Sequence, residues 1–540
     1  MKGFDASAGT PIAKGVFRYY DRLPLLILAD MSWFRRTPND TFTSKLPPGD
    51  LGSSFVGNTF TFHSDAQSLI LSSLASHPEA PIIRAKVIGR DVALVMDHAI
   101  AASVLDHSTT QAKAGKERGK EVQVEDGEEK VTTRFSHREA YKQLIGTFFV
   151  EPNILLEDED EPDRSAHRAQ WDDHMDKILG SEWPAIESTL RTIIIKYRET
   201  WTTGPPVDIY EACKDLSHDL VFRHFLGLDR HIDPQLFGRA LALSDASSRG
   251  QFSVPVKANL GGMFESAYSK GLRAQEQFNG IVLERIEAGK CPFLNTSLSD
   301  NTTTTTTRAT TTTDSSSPST SNSPAPSSSS PSSSSVSSIA KASAQSHTSM
   351  FSSSLVIKAL SSYLTFAFLQ TSRNPTAPLN DILLESERLS PPIIGVLRRV
   401  LDGPWRPPIE RMEMEMEIPV GWDVWLYFPL INRDTKIYGD DANLFRPERW
   451  KDPNLAEPMS FGRGGKRCIG REMVRRIGRL VLDEMTRDGL RVLIEGDVDG
   501  SLQDFLGWRD DTNGTKEGWK GVKQLPVQRP RERVMVRFER

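Results

Sequence analysis

One stretch, Phe461–Gly470 (FGRGGKRCIG), constrains this chain more than any other. Gly462, Gly464 and Gly465 precede a single cysteine, Cys468. Glycine reaches backbone conformations closed to other residues, so the run predicts a tight turn able to approach a flat partner closely. A sulfur carried on such a loop stands clear of crowding side chains. Amides of the loop, and the amino end of a helix predicted over about 470–487, can donate to that sulfur and favour its thiolate form. Gly470 allows the helix to pack closely on a planar group, and Lys466 and Arg467 supply cations for carboxylates. A thiolate presented in this way suits a metal.

Composition narrows the alternatives. The chain has three cysteines, Cys213, Cys291 and Cys468, far apart and outside any C-x-x-C pair. That excludes a disulfide framework and a structural zinc site, which needs about four closely spaced ligands. Cys213 and Cys291 read as small buried hydrophobes. A net charge of −5, with no long basic run, gives no reason to expect nucleic acid as a partner. The hydrophobic content of 38% and charged content of 25% are those of a chain with a real core. Near the amino end, 23–34 (LPLLILADMSWF) is too short to span a bilayer, needing about 20 residues, and contains Asp30. With Arg22, Arg35 and Arg36 beside it, it reads equally as a helix at a membrane surface or a buried one.

The chain is organised around an interruption. From Asn301 to about Ser338 it is nearly all Ser and Thr with scattered Pro and Asn. Such a segment has too little to bury to repay its ordering entropy, and disorder is expected over about 296–350. It is either a surface insertion between helices or translated intronic sequence. Before it, three- and four-residue apolar spacing predicts helices from about Arg138 to Glu287. PIIRAKVIGRDVALVMD predicts two strands joined at Gly89-Arg90. After it come helices over Leu355–Gln370 and Asp381–Leu389, the second stopped by Pro391-Pro392. IPVGWDVWLYFP predicts a hairpin or strand pair. The expected fold is mainly α with small β-sheets: an amino-terminal segment, 1–45, followed by one domain, 46–540.

Four segments together resemble the cytochrome P-450 family. Phe461, Gly464, Cys468 and Gly470 fall in register with its heme-binding loop, F-x-x-G-x-R-x-C-x-G, although Lys466 stands at the Arg position and Arg467 one residue late. Glu385 and Arg388 form E-x-x-R just before Pro391-Pro392. FRPERW (445–450) is similar to the family's P-E-R-F segment. LPPGDLGSSFVGNTFTF, through Pro47, Pro48, Gly49, Gly52 and Gly57, is similar to its proline-rich amino-terminal segment. The resemblance implies a P-450-like fold and a b-type heme with Cys468 as axial ligand to the iron. Phe461, Gly464, Lys466, Arg467 and Gly470 would lie around the heme. Glu385, Arg388 and Arg449 would form a buried structural triad. Arg399, with Arg398 as the neighbouring candidate, would face a propionate; so would His167 and Trp171.

The implied activity is that of a monooxygenase: one oxygen atom from dioxygen enters a small apolar organic substrate. Electrons would come from a separate NADPH-dependent reductase, since no flavin- or nicotinamide-binding region is visible. Peripheral contact with the endoplasmic reticulum membrane from its cytosolic face, and a role in secondary metabolism as in fungal members, follow by analogy. One departure bears on mechanism. The family's acid–alcohol pair for proton relay falls here on Lys358 and Ala359, so no catalytic residue is assigned, unless Ser361, Ser362 or Thr365 serves in a different register. Little chain is left between Asn374-Pro375 and Glu385, where the family has two more helices. A heme-thiolate isomerase or dehydratase acting on a peroxide, and a catalytically silent heme-binding protein, remain the alternatives.

Overall fold

Apolar residues at helical spacing build most of this protein, and short alternating runs build one sheet beside the helices. The computed structural model describes residues 45–106, 134–294, 333–409, 416–496 and 521–539, apart from 54–56, 143, 159–160, 162–163, 254, 256, 258 and 261–263. The amphipathic stretch at 23–34 lies outside these residues, as does most of the Ser/Thr tract.

Ten helices carry the architecture: α1 Thr59–Ser76, α2 Arg164–Leu179, α3 Trp183–Thr203, α4 Ile209–Val221, α5 Pro234–Gln251, α6 Ala267–Glu287, α7 Ser333–Phe351, α8 Ser354–Arg373, α9 Leu379–Leu389 and α10 Arg471–Thr486. In α10, Met473, Ile477, Leu480, Val481 and Met485 recur at three- and four-residue spacing and are all buried. They join a core shared with α2, α3, α4, α6 and α8. Helix α8 is buried nearly throughout, from Leu360 to Thr371. The run Lys341–Arg373 is long and apolar enough to cross a membrane, but 78% of its most apolar window is inside the protein, and the core accounts for its composition.

The strands are β1 Ile82–Val87, β2 Arg90–Val95, β3 Arg134–Ser136, β4 Val207–Asp208, β5 Asn259–Leu260, β6 Phe264–Glu265, β7 Gly395–Leu401, β8 Asp423–Tyr427, β9 Arg491–Ile494, β10 Val522–Lys523, β11 Arg529–Pro530 and β12 Met535–Glu539. The main sheet has five strands in the order β1-β2-β8-β7-β3. Within it β2 and β8 run parallel, pairing Val95 with Leu426, whereas β7 and β8 are antiparallel, pairing Leu397 with Trp425. Its two faces are covered by separate apolar clusters, one around Val95, Val424 and Leu426, the other around Ile83, Leu94 and Tyr427. A second sheet, β4-β12-β9, lies against the helical core.

Three expectations shift. The β1–β2 turn sits on Ile88 and Gly89, both at positive φ, and Arg90 already pairs with Val87. The right-handed twist of a two-residue hairpin favours that geometry. IPVGWDVWLYFP contributes one strand, β8, plus an isolated bridge between Ile418 and Trp405, not a hairpin. The expected disorder over 296–350 does not extend through its last third, because α7 occupies 333–351. There the Ser-rich composition is compatible with packing: His347 and Thr348 are fully buried, and Ser346 nearly so. The chain then passes from α8 to α9 through residues 374–378 alone.

Candidate functional site

The cysteine loop is closed by its own backbone. Cys468 N–H donates to the Phe461 carbonyl at 2.8 Å, Arg467 N–H to Gly464 at 3.1 Å, and Gly462 N–H to Met459 at 2.8 Å. Gly462 and Gly464 stand at φ +69° and +67°, in the region where a side chain would strain the turn. Gly465 does not need positive φ. The amides of Gly470 and Arg471, at the start of α10, donate to the Cys468 sulfur and favour the thiolate. Burial outweighs them and leaves the thiol pKa above its ordinary value. Yet the side chain itself is exposed. A Cβ at Gly470 would lie 3.9 Å from the sulfur, so a larger residue would begin to cover it. Phe461 lies beneath the Arg475 guanidinium, 5.7 Å from its ring centre.

Behind the loop, Glu385 and Arg388 on α9 are both fully buried. Arg388 donates to Glu385 through Nε at 2.9 Å and Nη2 at 2.7 Å. Arg449 Nε reaches the same carboxylate at 2.9 Å, as do the Arg446 amide at 2.9 Å and Trp450 Nε1 at 3.1 Å. The other donors of Arg388 go to the carbonyls of Asn432, Ala442 and Leu444. A buried ion pair stays intact only when its remaining lone pairs and protons are satisfied in this way. From here the network runs to the loop. Asn432 Oδ1 accepts from Met459 N–H at 2.9 Å, and Ser460 Oγ donates to the Glu387 carbonyl at 2.7 Å.

Cations gather on the other side of the loop. Lys466 Nζ donates to the carbonyls of Ile154 at 2.8 Å and Leu155 at 3.3 Å. Arg398 Nη1 meets His137 Nδ1 at 2.8 Å. Burial holds the His137 pKa well below the ordinary histidine range, and the positive charges of Lys466, Arg398 and Arg164 push the same way. Three cations thus converge on one imidazole that is neutral at physiological pH. A group bearing two carboxylates beside a metal suits that concentration of charge, and the residues present fit heme: an exposed cysteine on a glycine turn at the start of α10, with cations from the loop, α2 and β7.

Not every residue expected here faces this cluster. Arg399 is bound to Asp423 at 3.0 Å, which also takes Arg90 at 2.7 Å. Adjacent residues of a strand point to opposite faces, so it is Arg398 that turns toward the loop side. On α2, His167 is held between Glu157 at 2.8 Å and Ser343 at 2.7 Å, and Trp171 stacks on His347 at 4.3 Å. The residues of α2 that touch the loop are Arg164 and Arg168. Arg164 Nη2 donates to the Gly465 carbonyl at 2.6 Å, and Arg168 Nη1 to those of Arg467 at 3.0 Å and Gly465 at 3.3 Å. Arg168 stands within the His167–Trp171 stretch that carries the family likeness, but neither arginine was assigned a role from the sequence. Arg467 itself is exposed and meets α2 through its carbonyl.

Lys358, at the position of the family's acid, is tied to Asp245 at 3.1 Å and Ser248 at 3.2 Å on α5. Ser361, Ser362 and Thr365 donate to the carbonyls of Ile357, Gln528 and Ser361. The amino-terminal glycines are placed tightly: Gly57 has φ +60°, and a Cβ there would meet the Lys86 carbonyl at 2.4 Å.

Fold and loop define a class of protein: mainly helical, with one cysteine sulfur held on a glycine turn at the start of a core helix. The comparisons agree. The cytochrome P450 family model matches residues 378–487, which include α9, the triad and the cysteine loop. The cytochrome P450 monooxygenase gsfF of Penicillium aethiopicum is 41% identical over 63 residues, 11% of this chain and 12% of that protein. The cytochrome P450 monooxygenase hepC of Aspergillus oryzae is 32% identical over 119 residues, 20% of this chain and 21% of that protein. The chain thus matches these two relatives over 12% and 21% of their lengths. Its fold is similar to retinoic acid bound cyanobacterial CYP120A1, with TM-score 0.58 and 16% identity over 92% of this chain and 99% of that one. It is also similar to the cytochrome P450DA heme domain, with TM-score 0.61 and 15% identity over 92% and 98%. Residues 378–487 are thus similar to the cytochrome P450 family, and the fold is that of solved cytochrome P450 structures.

Proposed function

We propose that this protein is a heme-thiolate monooxygenase, in which the Cys468 sulfur would hold the iron of a b-type heme. The observation that carries this reading is the glycine-turned loop that presents Cys468 at the start of α10, closed by the Cys468 N–H on the Phe461 carbonyl at 2.8 Å and backed by the buried Glu385–Arg388–Arg449 network. Heme so ligated supplies reductive activation of dioxygen and transfer of one oxygen atom to an organic substrate. The chain's own part is positional. Phe461, Gly464 and Gly470 shape the loop, and Glu385, Arg388 and Arg449 lock it to the helical core. Arg398 and Lys466, beside His137, would hold the cofactor's carboxylates. Arg399, His167 and Trp171 stand outside that group, engaged by Asp423, Glu157, Ser343 and His347. A separate NADPH-dependent reductase would supply electrons, and the substrate would be small and apolar. Residues 46–540 would act as one domain carrying the Ser/Thr-rich tract as an insertion, and the amino-terminal segment 1–45 would make peripheral contact with the endoplasmic reticulum membrane.

One observation favours a second reading. With Lys358 paired to Asp245 and alanine next to it, the proton relay of a dioxygen-activating enzyme is missing from its usual place. A heme-thiolate isomerase or dehydratase that rearranges a peroxide needs no such relay. The same purified protein separates the two. The reduced carbon-monoxide spectrum tests the ligand, and Cys468→Ala should abolish its thiolate signature; survival of that signature would refute the assignment. Turnover only with NADPH and a reductase supports the monooxygenase. Turnover only with a hydroperoxide and no reductant supports the second reading.

A further inference from the structure

We infer that Arg164 and Arg168 are positioning residues that hold the sulfur-bearing loop from outside, through its own carbonyls. The inference rests on the heme-thiolate reading for its consequence, though not for its geometry. Position 466 carries lysine where the family has arginine, and a lysine offers one point of charge in place of a planar fork. Here Lys466 turns away from the loop and ties it to the turn at Ile154 and Leu155. The guanidinium groups come instead from α2. The Gly465 carbonyl accepts from both Arg164 at 2.6 Å and Arg168 at 3.3 Å, and the Arg467 carbonyl accepts from Arg168 at 3.0 Å.

The second contact reaches the sulfur through one peptide unit. The carbonyl of Arg467 and the N–H of Cys468 belong to the same amide. That N–H closes the loop on Phe461 at 2.8 Å. A charged donor on the carbonyl polarises the amide and strengthens the bond made by its N–H. Arg168 thereby fixes the plane of the peptide from which the Cys468 side chain departs. Its own position is set by Asp172, whose carboxylate oxygens lie 2.9 and 3.0 Å from Arg168 Nε. Arg164 braces the peptide two residues earlier, at Gly465, so the loop is gripped at two carbonyls by residues one helical turn apart on α2.

The test compares Arg168→Ala, Arg168→Gln, Arg168→Lys and Arg164→Ala with the parent, each heme-loaded and heme-stripped. The measurements are amide hydrogen exchange at Lys466 and Cys468, and the thiolate fraction in the reduced carbon-monoxide spectrum. Loss of a charged hydrogen bond should raise exchange at Cys468 by roughly 10- to 100-fold in Arg168→Ala, in both loaded and stripped protein. The thiolate fraction should fall in parallel, with partial recovery in Arg168→Lys. Should the effect vanish in stripped protein, the arginine serves the cofactor's carboxylates and the inference is wrong. Unchanged exchange in both forms overturns it as well. If the protein binds no heme at all yet Cys468 exchange still rises, the proposed function fails and the loop-holding role stands.

Discussion

At the scale of single residues, the largest energetic stake is Glu385, whose carboxylate receives donors from Arg388, Arg446, Arg449 and Trp450. Removing it strands two guanidinium groups in a buried site. Glu385→Ala should therefore destabilise by about 3–5 kcal/mol, read as a lower midpoint in urea unfolding. His224 makes a second case. Burial, and then the nearby His174, push its pKa down to about 4. A group depressed in the folded state stabilises above its unfolded pKa near 6.5 and loses that stability as pH falls toward 4. His224→Leu should flatten the decline in stability between those values by up to about 3 kcal/mol, at 1.4 kcal/mol per unit. An unchanged slope in the pH dependence of unfolding would refute it. The Glu385–Arg388 pairing and the glycine turn before Cys468 were legible in the sequence because they depend on local spacing, and Arg449 was placed with them only by the family resemblance. Arg164, Arg168 and His137 were not, because nothing near them in the chain says what they touch.

At the scale of elements, α5 and α6 cross where Gly250 meets Gly271. A Cβ on Gly271 would come within 2.5 Å of the Gly250 Cα, and one on Gly250 within 2.6 Å of the Gly271 Cα. Alanine gains up to about 1 kcal/mol of helix propensity over glycine. Backbone atoms cannot yield as a flexible side chain can, so overpacking wins. Gly271→Ala should be net destabilising by about 1–3 kcal/mol in thermal or denaturant unfolding. The element scale also shows the limit of motif reading. By sequence Arg399 is the match and Arg398 its neighbour, and the alternation of β7 puts Arg399 on Asp423 and Arg398 on His137. On α2 the choice falls between neighbouring stripes, His167 and Trp171 facing α7, Arg164 and Arg168 facing the loop.

At the scale of the molecule, replacing residues 297–330 by a short Gly/Ser linker should leave the thermal midpoint within about 2 °C. Loop closure changes by only about 0.6 kcal/mol for each halving of length. A fall of more than about 5 °C would show that the tract contributes to the core. Stripping the heme should lower the midpoint, since a group bound only by the folded state stabilises it, and Cys468→Ala should remove most of the difference. The sequence by itself determined the helical class, the cysteine loop and the Glu385–Arg388 pair, because each depends on residues a few positions apart, whereas Arg449, 64 residues from Glu385, entered through the family resemblance. Only the tertiary structure decided which cations face the loop, that α7 begins within the Ser-rich tract, and that Lys358 is bound to Asp245. Those outcomes depend on contacts between segments 100 or more residues apart, such as Arg168 with Arg467 and Asp245 with Lys358. No local pattern encodes them.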